Sequence, residues 1–74
     1  MLRERDLFAL SLLFFHKRLT IHQLKSMINE EVLNNKIPKR FSMTSQELQF
    51  LVRQFGKKEG KEWVLEKDFR EIIQ

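Results

Sequence analysis

Helix-breaking residues are nearly absent from this chain: its 74 residues include two glycines, Gly56 and Gly60, and one proline, Pro38. Because glycine and proline interrupt helices, this scarcity favours a mainly α fold with short loops. Hydrophobic residues make up 42% of the chain, which is enough to form a core. The length allows one small domain, and we assign residues 1–74 to it.

The absence of cysteine excludes disulfides and thiolate zinc sites. A small domain without cross-links depends on dense packing or on a partner chain. His16 and His22 lack the four-residue spacing of a helical metal site. With neither a glycine-rich phosphate loop nor a nucleophile elbow, the sequence predicts a protein that is not an enzyme and has no catalytic residues, metal or cofactor.

The first helix is expected at residues 3–17, with acids near its start and bases near its end, as the helix dipole favours. Its apolar residues surround the helix, which predicts a place in the core or against another chain. We therefore expect a homodimer or partner-protein interface that includes Phe8, Leu12, Phe15 and, on a later helix, Phe50.

The most apolar stretch, residues 7–15, is nine residues long, whereas a membrane span needs about 20. Glu4 and Asp6 precede this stretch and no small-residue cleavage site follows it, unlike a signal peptide. The sequence therefore predicts no membrane partner and a cytoplasmic or nuclear location.

Two capping boxes predict where the next helices begin. Residues 20–23 open a helix over 21–33, and residues 44–47 open a third helix over 45–55. The third helix is amphipathic, because four apolar residues keep the i, i+3, i+4, i+7 spacing: Leu48, Leu51, Val52 and Phe55.

Gly56 is expected to end the third helix. The turn signal at Glu59 and Gly60, followed by the apolar residues 62–65, predicts a short β-hairpin or a single strand near residues 57–65. Residues 68–74 are then predicted to form a short C-terminal helix.

Basic residues cluster in the loops of a chain whose formal net charge is +4. A phosphate backbone would attract such loops, although basic loops also keep small proteins in solution. The clusters are Lys17 with Arg18, Lys36 with Lys39 and Arg40, and Lys57 with Lys58 and Lys61.

The order of elements resembles a winged-helix or helix-turn-helix DNA-binding domain over residues 5–66. In that family the third helix enters the major groove, and the hairpin after it contacts the backbone or the minor groove. The resemblance implies that Ser45, Gln46, Gln49 and Arg53 face the bases, since Gln can pair with adenine and Arg with guanine. It implies phosphate contacts from Lys17, Arg18, Lys39, Arg40, Thr44, Lys57, Lys58 and Lys61.

A second resemblance is to the latter half of an EF-hand, over residues 55–73. Calcium requires acidic side chains at alternating loop positions, and Lys57, Lys58 and Lys61 occupy that loop here. This alternative implies a degenerate module that does not bind calcium and acts in protein–protein interaction or dimerisation.

The leading prediction is a winged-helix-like protein without catalysis that binds double-stranded DNA, as a small regulator of transcription or replication. A dimer is expected, because one small module buries little DNA surface. The alternative is a helical interaction module that binds a partner helix or a second copy.

Overall fold

The structure is a computed structural model that describes residues 2–73. Its elements, in chain order, are α1 (Glu4–His16), α2 (Ile21–Leu33), α3 (Ser45–Phe55), β1 (Gly56–Glu59), β2 (Glu62–Leu65) and the short helix α4 (Phe69–Ile72). A 3-10 turn at Lys39–Phe41 lies between α2 and α3. The predicted fold is confirmed as mainly helical, with three long helices, a two-stranded hairpin near residues 57–65 and a short C-terminal helix. This layout is compatible with a winged-helix-like domain.

Both predicted capping boxes are present. The Thr20 hydroxyl accepts from the Gln23 backbone N–H at 3.0 Å, and the Gln23 side chain accepts from the Thr20 N–H at 2.9 Å. Thr44 and Glu47 repeat this exchange at 3.1 and 2.9 Å. These reciprocal bonds satisfy N–H groups that have no partner inside the helix, so α2 and α3 begin where the sequence predicts.

The connection between α1 and α2 contains one residue, Leu19, that pairs with the hairpin as an isolated β-bridge. Lys17, after the end of α1, has a φ of 75°, which turns the chain back toward the hairpin. The next apolar residue, Leu19, exchanges two backbone hydrogen bonds with Trp63 of β2, at 2.8 and 3.2 Å. The hairpin is thereby attached to the helical part of the domain.

The hairpin follows α3 without an intervening loop, because Gly56 both caps α3 and opens β1. A Cβ atom at Gly56 would overlap the Val64 carbonyl oxygen across the strand pair, so this position requires glycine. Gly60 has a φ of 67° in the two-residue turn, a left-handed conformation that glycine adopts without strain. Each strand has four residues, paired antiparallel.

The core lies between the three long helices and β2. The buried residues of α1 are Ala9, Leu10 and Leu13. Trp63 is 8% exposed and closes the core on the side of the hairpin. The other buried apolar residues are Leu19, Leu24, Ile28, Met43, Leu48, Leu51 and Val52.

The remaining apolar residues of α1 differ in exposure. Phe8 and Leu12 are half-buried and pack against the core. Phe14 is 39% exposed, with its ring stacked on Phe69, and Phe15 is 77% exposed. No helix within residues 2–73 has the length and apolar character needed to cross a membrane.

Candidate nucleic-acid-binding surface

The exposed face of α3 is the best-defined candidate surface. The helix buries Leu48, Leu51 and Val52 against the core, so its opposite side faces solvent. With about 100° of rotation per residue, that side carries two adjacent rows. The rows are Ser45, Gln49 and Arg53, and Gln46, Phe50 and Gln54, all of them exposed.

Phe50 lies close to the middle of this face. In projection along the axis, the point opposite the buried stripe falls between Gln46 and Phe50, about 30° from Phe50 and about 70° from Gln49. The Phe50 side chain is 68% exposed. The sequence predicts Phe50 in a partner interface, whereas in the structure it lies beside the residues that are predicted to read bases. Gln54 was missed, although the same projection along the sequence would have included it.

The N-terminal end of α3 is held by an ion pair with α1. Arg5 Nη2 donates to Glu47 Oε2 at 2.9 Å. The Thr44 backbone N–H, followed by the Arg5 guanidinium, lowers the pKa of Glu47 below its ordinary value of 4.5. Because the Thr44 hydroxyl oxygen accepts from the helix, its proton is free to be donated to a phosphate.

Positive charge is concentrated on both sides of α3 along the chain. Residues 36–61 contain seven Lys or Arg and two Glu, whereas the rest of the chain holds seven basic and eight acidic residues. The seven cations of this basic segment are Lys36, Lys39, Arg40, Arg53, Lys57, Lys58 and Lys61.

Both glutamates of the basic segment are paired with arginines from outside it. Glu47 binds Arg5, as described above, and Glu59 binds Arg18. Arg18 also lies 3.6 Å from Glu62, through its Nη1 atom. The negative charge that the basic segment itself carries is therefore compensated by arginines from outside the segment.

The cations predicted to contact phosphate differ in their surroundings. Arg18 is held by the two hairpin glutamates, so its charge stabilises the hairpin as well as any anion beside it. Arg40 lies over the Phe41 ring at 5.5 Å and is 3.6 Å from Glu4. Lys57 is 3.5 Å from Glu59. Within residues 2–73, four predicted contacts are exposed and make no ion pair: Lys17, Lys39, Lys58 and Lys61.

A groove of about 650 Å³ runs beside α3, between this helix and the start of α1. One wall carries the exposed ring of Phe50, and the other carries the side chains of Arg3 and Arg5. Leu2 and Phe55 contribute apolar surface to the same groove. Asp6 and Glu47 line the groove as well, so its two arginines are balanced by two carboxylates, one of which pairs with Arg5.

The four residues of the predicted partner interface do not share one environment. Phe8 packs edge-on against Phe41, with ring centroids 5.9 Å apart, and Leu12 packs against the core. Phe15 and Phe50 are exposed, but they belong to different helices. Lys57, Lys58 and Lys61, which the EF-hand resemblance places in a calcium-type loop, lie in the β-hairpin. In the described part of the chain, no group of three or more His, Asp or Glu is placed to hold a metal ion.

Comparison with known proteins gives no relative: no protein-family model, curated protein or solved structure matches this chain. What the chain does must therefore be inferred from its own residues.

Proposed function

We propose that this protein binds double-stranded DNA, with α3 in the major groove and the β1–β2 hairpin along the backbone. In this role it regulates transcription or replication and carries out no catalysis. The observation that carries the proposal is the exposed polar face of α3, flanked along the chain by basic loops on both sides. Such a protein acts where DNA is accessible, in a cytoplasm or a nucleus.

The exposed side chains of α3 suit base edges. The major groove is about 12 Å wide and admits one α-helix. Gln46 and Gln49 can each donate to and accept from adenine, and Arg53 can donate two hydrogen bonds to guanine. A helix with one exposed cation and several amides has little affinity for phosphate by itself, so its face is better suited to reading bases.

The phosphate contacts come from the segments that flank α3. Lys39 precedes the helix, while Lys58 and Lys61 follow it on the hairpin. Each Lys or Arg that neutralises a phosphate releases condensed counterions, which favours binding at low salt. The capped N-terminus of α3, with the Thr44 hydroxyl, adds a further donor toward the backbone.

A dimer completes the proposal. A single module of this size buries little DNA surface, and two-fold dimers bind half-sites about 34 Å apart. Phe15 is the apolar side chain of α1 that is most available for a second copy, because it is 77% exposed. Phe15→Glu should therefore reduce self-association without unfolding the domain.

The test is a titration of a fluorescein-labelled duplex of mixed sequence, followed by anisotropy. Trp63 is buried, so its fluorescence reports folding rather than DNA contact. If four or more phosphates are contacted, raising the salt concentration from about 50 to about 200 mM should weaken binding by at least about a hundred-fold. Absence of binding at low salt, or affinity that does not change with salt, would overturn the proposal.

Two variants separate the roles of the residues. Lys58→Gln should weaken binding to all duplexes alike, whereas Arg53→Gln should reduce the preference among sequences. Lys67→Gln is the matched control for Lys58→Gln, because Lys67 is exposed and lies outside the basic segment. A loss of affinity in Lys67→Gln equal to that in Lys58→Gln would indicate attraction to net charge alone.

A protein-interaction or dimerisation module is the second candidate function, favoured by the exposure of Phe15. An apolar contact of this kind predicts association that responds little to salt and is lost in Phe15→Glu. The duplex titration distinguishes this function from the first, because both predict self-association through Phe15 but only the first predicts salt-dependent binding to DNA.

A further inference from the structure

Phe50 is the one aromatic side chain among the exposed residues of α3. In an amphipathic helix, a phenylalanine is expected in the buried stripe, yet this side chain is 68% exposed. The core is complete without it, because the buried positions of α3 are Leu48, Leu51 and Val52. Its place near the centre of the exposed face therefore suggests a contact outside the domain.

The neighbours of Phe50 on this face are amides and a guanidinium. Gln46 and Gln54 lie one turn before and one turn after it, in the same row. Arg53 lies in the adjoining row, about 60° around the helix from Phe50. An occupant that covers Phe50 must therefore also satisfy several hydrogen-bonding side chains, which base edges can do.

The charge around the face favours a polyanion as this occupant. The groove beside Phe50 is balanced in charge, because Asp6 and Glu47 line it together with Arg3 and Arg5. The positive charge comes from the basic segment that flanks α3 along the chain. Thymine is the base that presents an apolar group in the major groove, its C5-methyl, and an aromatic or aliphatic side chain can contact that methyl. Adenine pairs with thymine, so a Gln that reads adenine brings a thymine methyl close to the adjoining side chain.

We infer that Phe50 is a specificity-determining residue that contacts thymine methyl groups in the major groove, and that the preferred duplex is therefore rich in A·T pairs. This inference rests on the proposed DNA-binding function. It adds to that function a base preference and the residue responsible for it.

The experiment compares two labelled duplexes of the same length, one of alternating dA and dT and one of alternating dA and deoxyuridine. They carry the same hydrogen-bonding groups and differ in the C5-methyl. Burial of one methyl should favour the thymine duplex by roughly four-fold. The dissociation constants are measured by anisotropy at low salt, where phosphate contacts are strongest.

Three variants locate the effect. Phe50→Ala should bind both duplexes equally, because the side chain that contacts the methyl is removed. Phe50→Leu should keep part of the preference. Leu33→Ala is the control, since Leu33 is also an exposed apolar side chain but lies on α2, away from the proposed contacts. It should keep the full preference. Trp63 fluorescence during thermal unfolding checks that each variant is folded.

The outcomes separate this inference from the proposed function. If the wild-type protein binds both duplexes with equal affinity and strong salt dependence, DNA binding stands and the role of Phe50 is overturned. A methyl preference that survives in Phe50→Ala also overturns it, by assigning the contact to another residue. Absence of binding to either duplex removes the proposed function itself and leaves Phe50 as a protein contact.

Discussion

Leu19 and Trp63 exchange a pair of backbone hydrogen bonds: the Trp63 N–H donates to the Leu19 carbonyl at 2.8 Å, and the Leu19 N–H donates to the Trp63 carbonyl at 3.2 Å. Both side chains are buried, so the polar contact and the apolar one form together. This pairing joins the connection after α1 to the hairpin after α3. It fixes the hairpin, which already follows α3 directly at Gly56, against the rest of the domain, and the proposed DNA contact requires a hairpin held in this way.

Trp63→Ala is expected to destabilise the domain by about 3–5 kcal/mol, as large core truncations do. Val64 points to the opposite face of β2, because side chains alternate along a strand. Val64→Ala is therefore the control, with an expected cost of about 1 kcal/mol or less. Chemical denaturation followed by circular dichroism measures both. Equal costs for the two variants would contradict the central position of Trp63.

The two glycines should respond differently to substitution. Gly56→Ala introduces a Cβ against the Val64 carbonyl, and we expect a loss of about 1–3 kcal/mol, as in other overpacked sites. Gly60 has a positive φ but open space around it, and asparagine tolerates that conformation. Gly60→Asn should therefore change the melting temperature little. A larger effect at Gly60 than at Gly56 would argue against the close approach of β1 and β2.

Glu47 should make the stability of the domain dependent on pH. Its pKa is lowered in the folded state by the Thr44 N–H and by Arg5. The ionised carboxylate therefore stabilises the fold above the ordinary pKa of 4.5, and this contribution is lost as the pH falls through the lowered value. Wild type should melt higher than Glu47→Gln at about pH 7, and the difference should shrink at about pH 3.

Arg5→Met tests whether the Arg5 guanidinium contributes to the lowered pKa of Glu47. In this variant the carboxyl resonance of Glu47, followed by NMR, should titrate at a higher pH than in wild type. The hydrogen bond from the Thr44 backbone N–H to Glu47 remains, so only part of the lowering of the Glu47 pKa should disappear. An unchanged titration of Glu47 would show that the Arg5 contact has no electrostatic effect on this carboxyl.

Glu59→Gln is expected to strengthen DNA binding by a few-fold at low salt. The substitution removes a negative charge from the hairpin and releases Arg18 from one of its two carboxylate partners. Both changes raise the positive potential beside Lys58. Anisotropy with the mixed-sequence duplex measures the change, and Glu66→Gln, an exposed position after the hairpin, serves as control. Weaker binding by Glu59→Gln would contradict a phosphate contact along the hairpin.

The three long helices could be predicted from the sequence because their signals are local. The capping boxes at Thr20 and Thr44 act within one turn, and the apolar stripe of α3 keeps helical spacing from Leu48 to Phe55. The end of α3 at Gly56 and the turn at Gly60 follow from the same short-range chemistry. These predictions needed no knowledge of which elements would become neighbours.

The candidate surface could be predicted in part. Exposure of Gln49 and Arg53 follows from their position opposite the apolar stripe, and Phe50 could have been added to that face by the same projection. The ion pairs of Arg18 with Glu59 and Glu62 could not be predicted from the sequence, because they join residues about forty positions apart in the chain. Arg18, which is predicted to contact phosphate, also pairs with these two glutamates of the hairpin.

The sequence by itself determined the helices, their caps and the polar face of α3, since each depends on residues within a few positions of one another. Only the tertiary structure decided that Leu19 pairs with Trp63, that Phe8 packs on Phe41 while Phe15 stays exposed, and that Arg5 holds Glu47. Those contacts join distant segments, and their formation depends on how complete helices and strands pack around a common core.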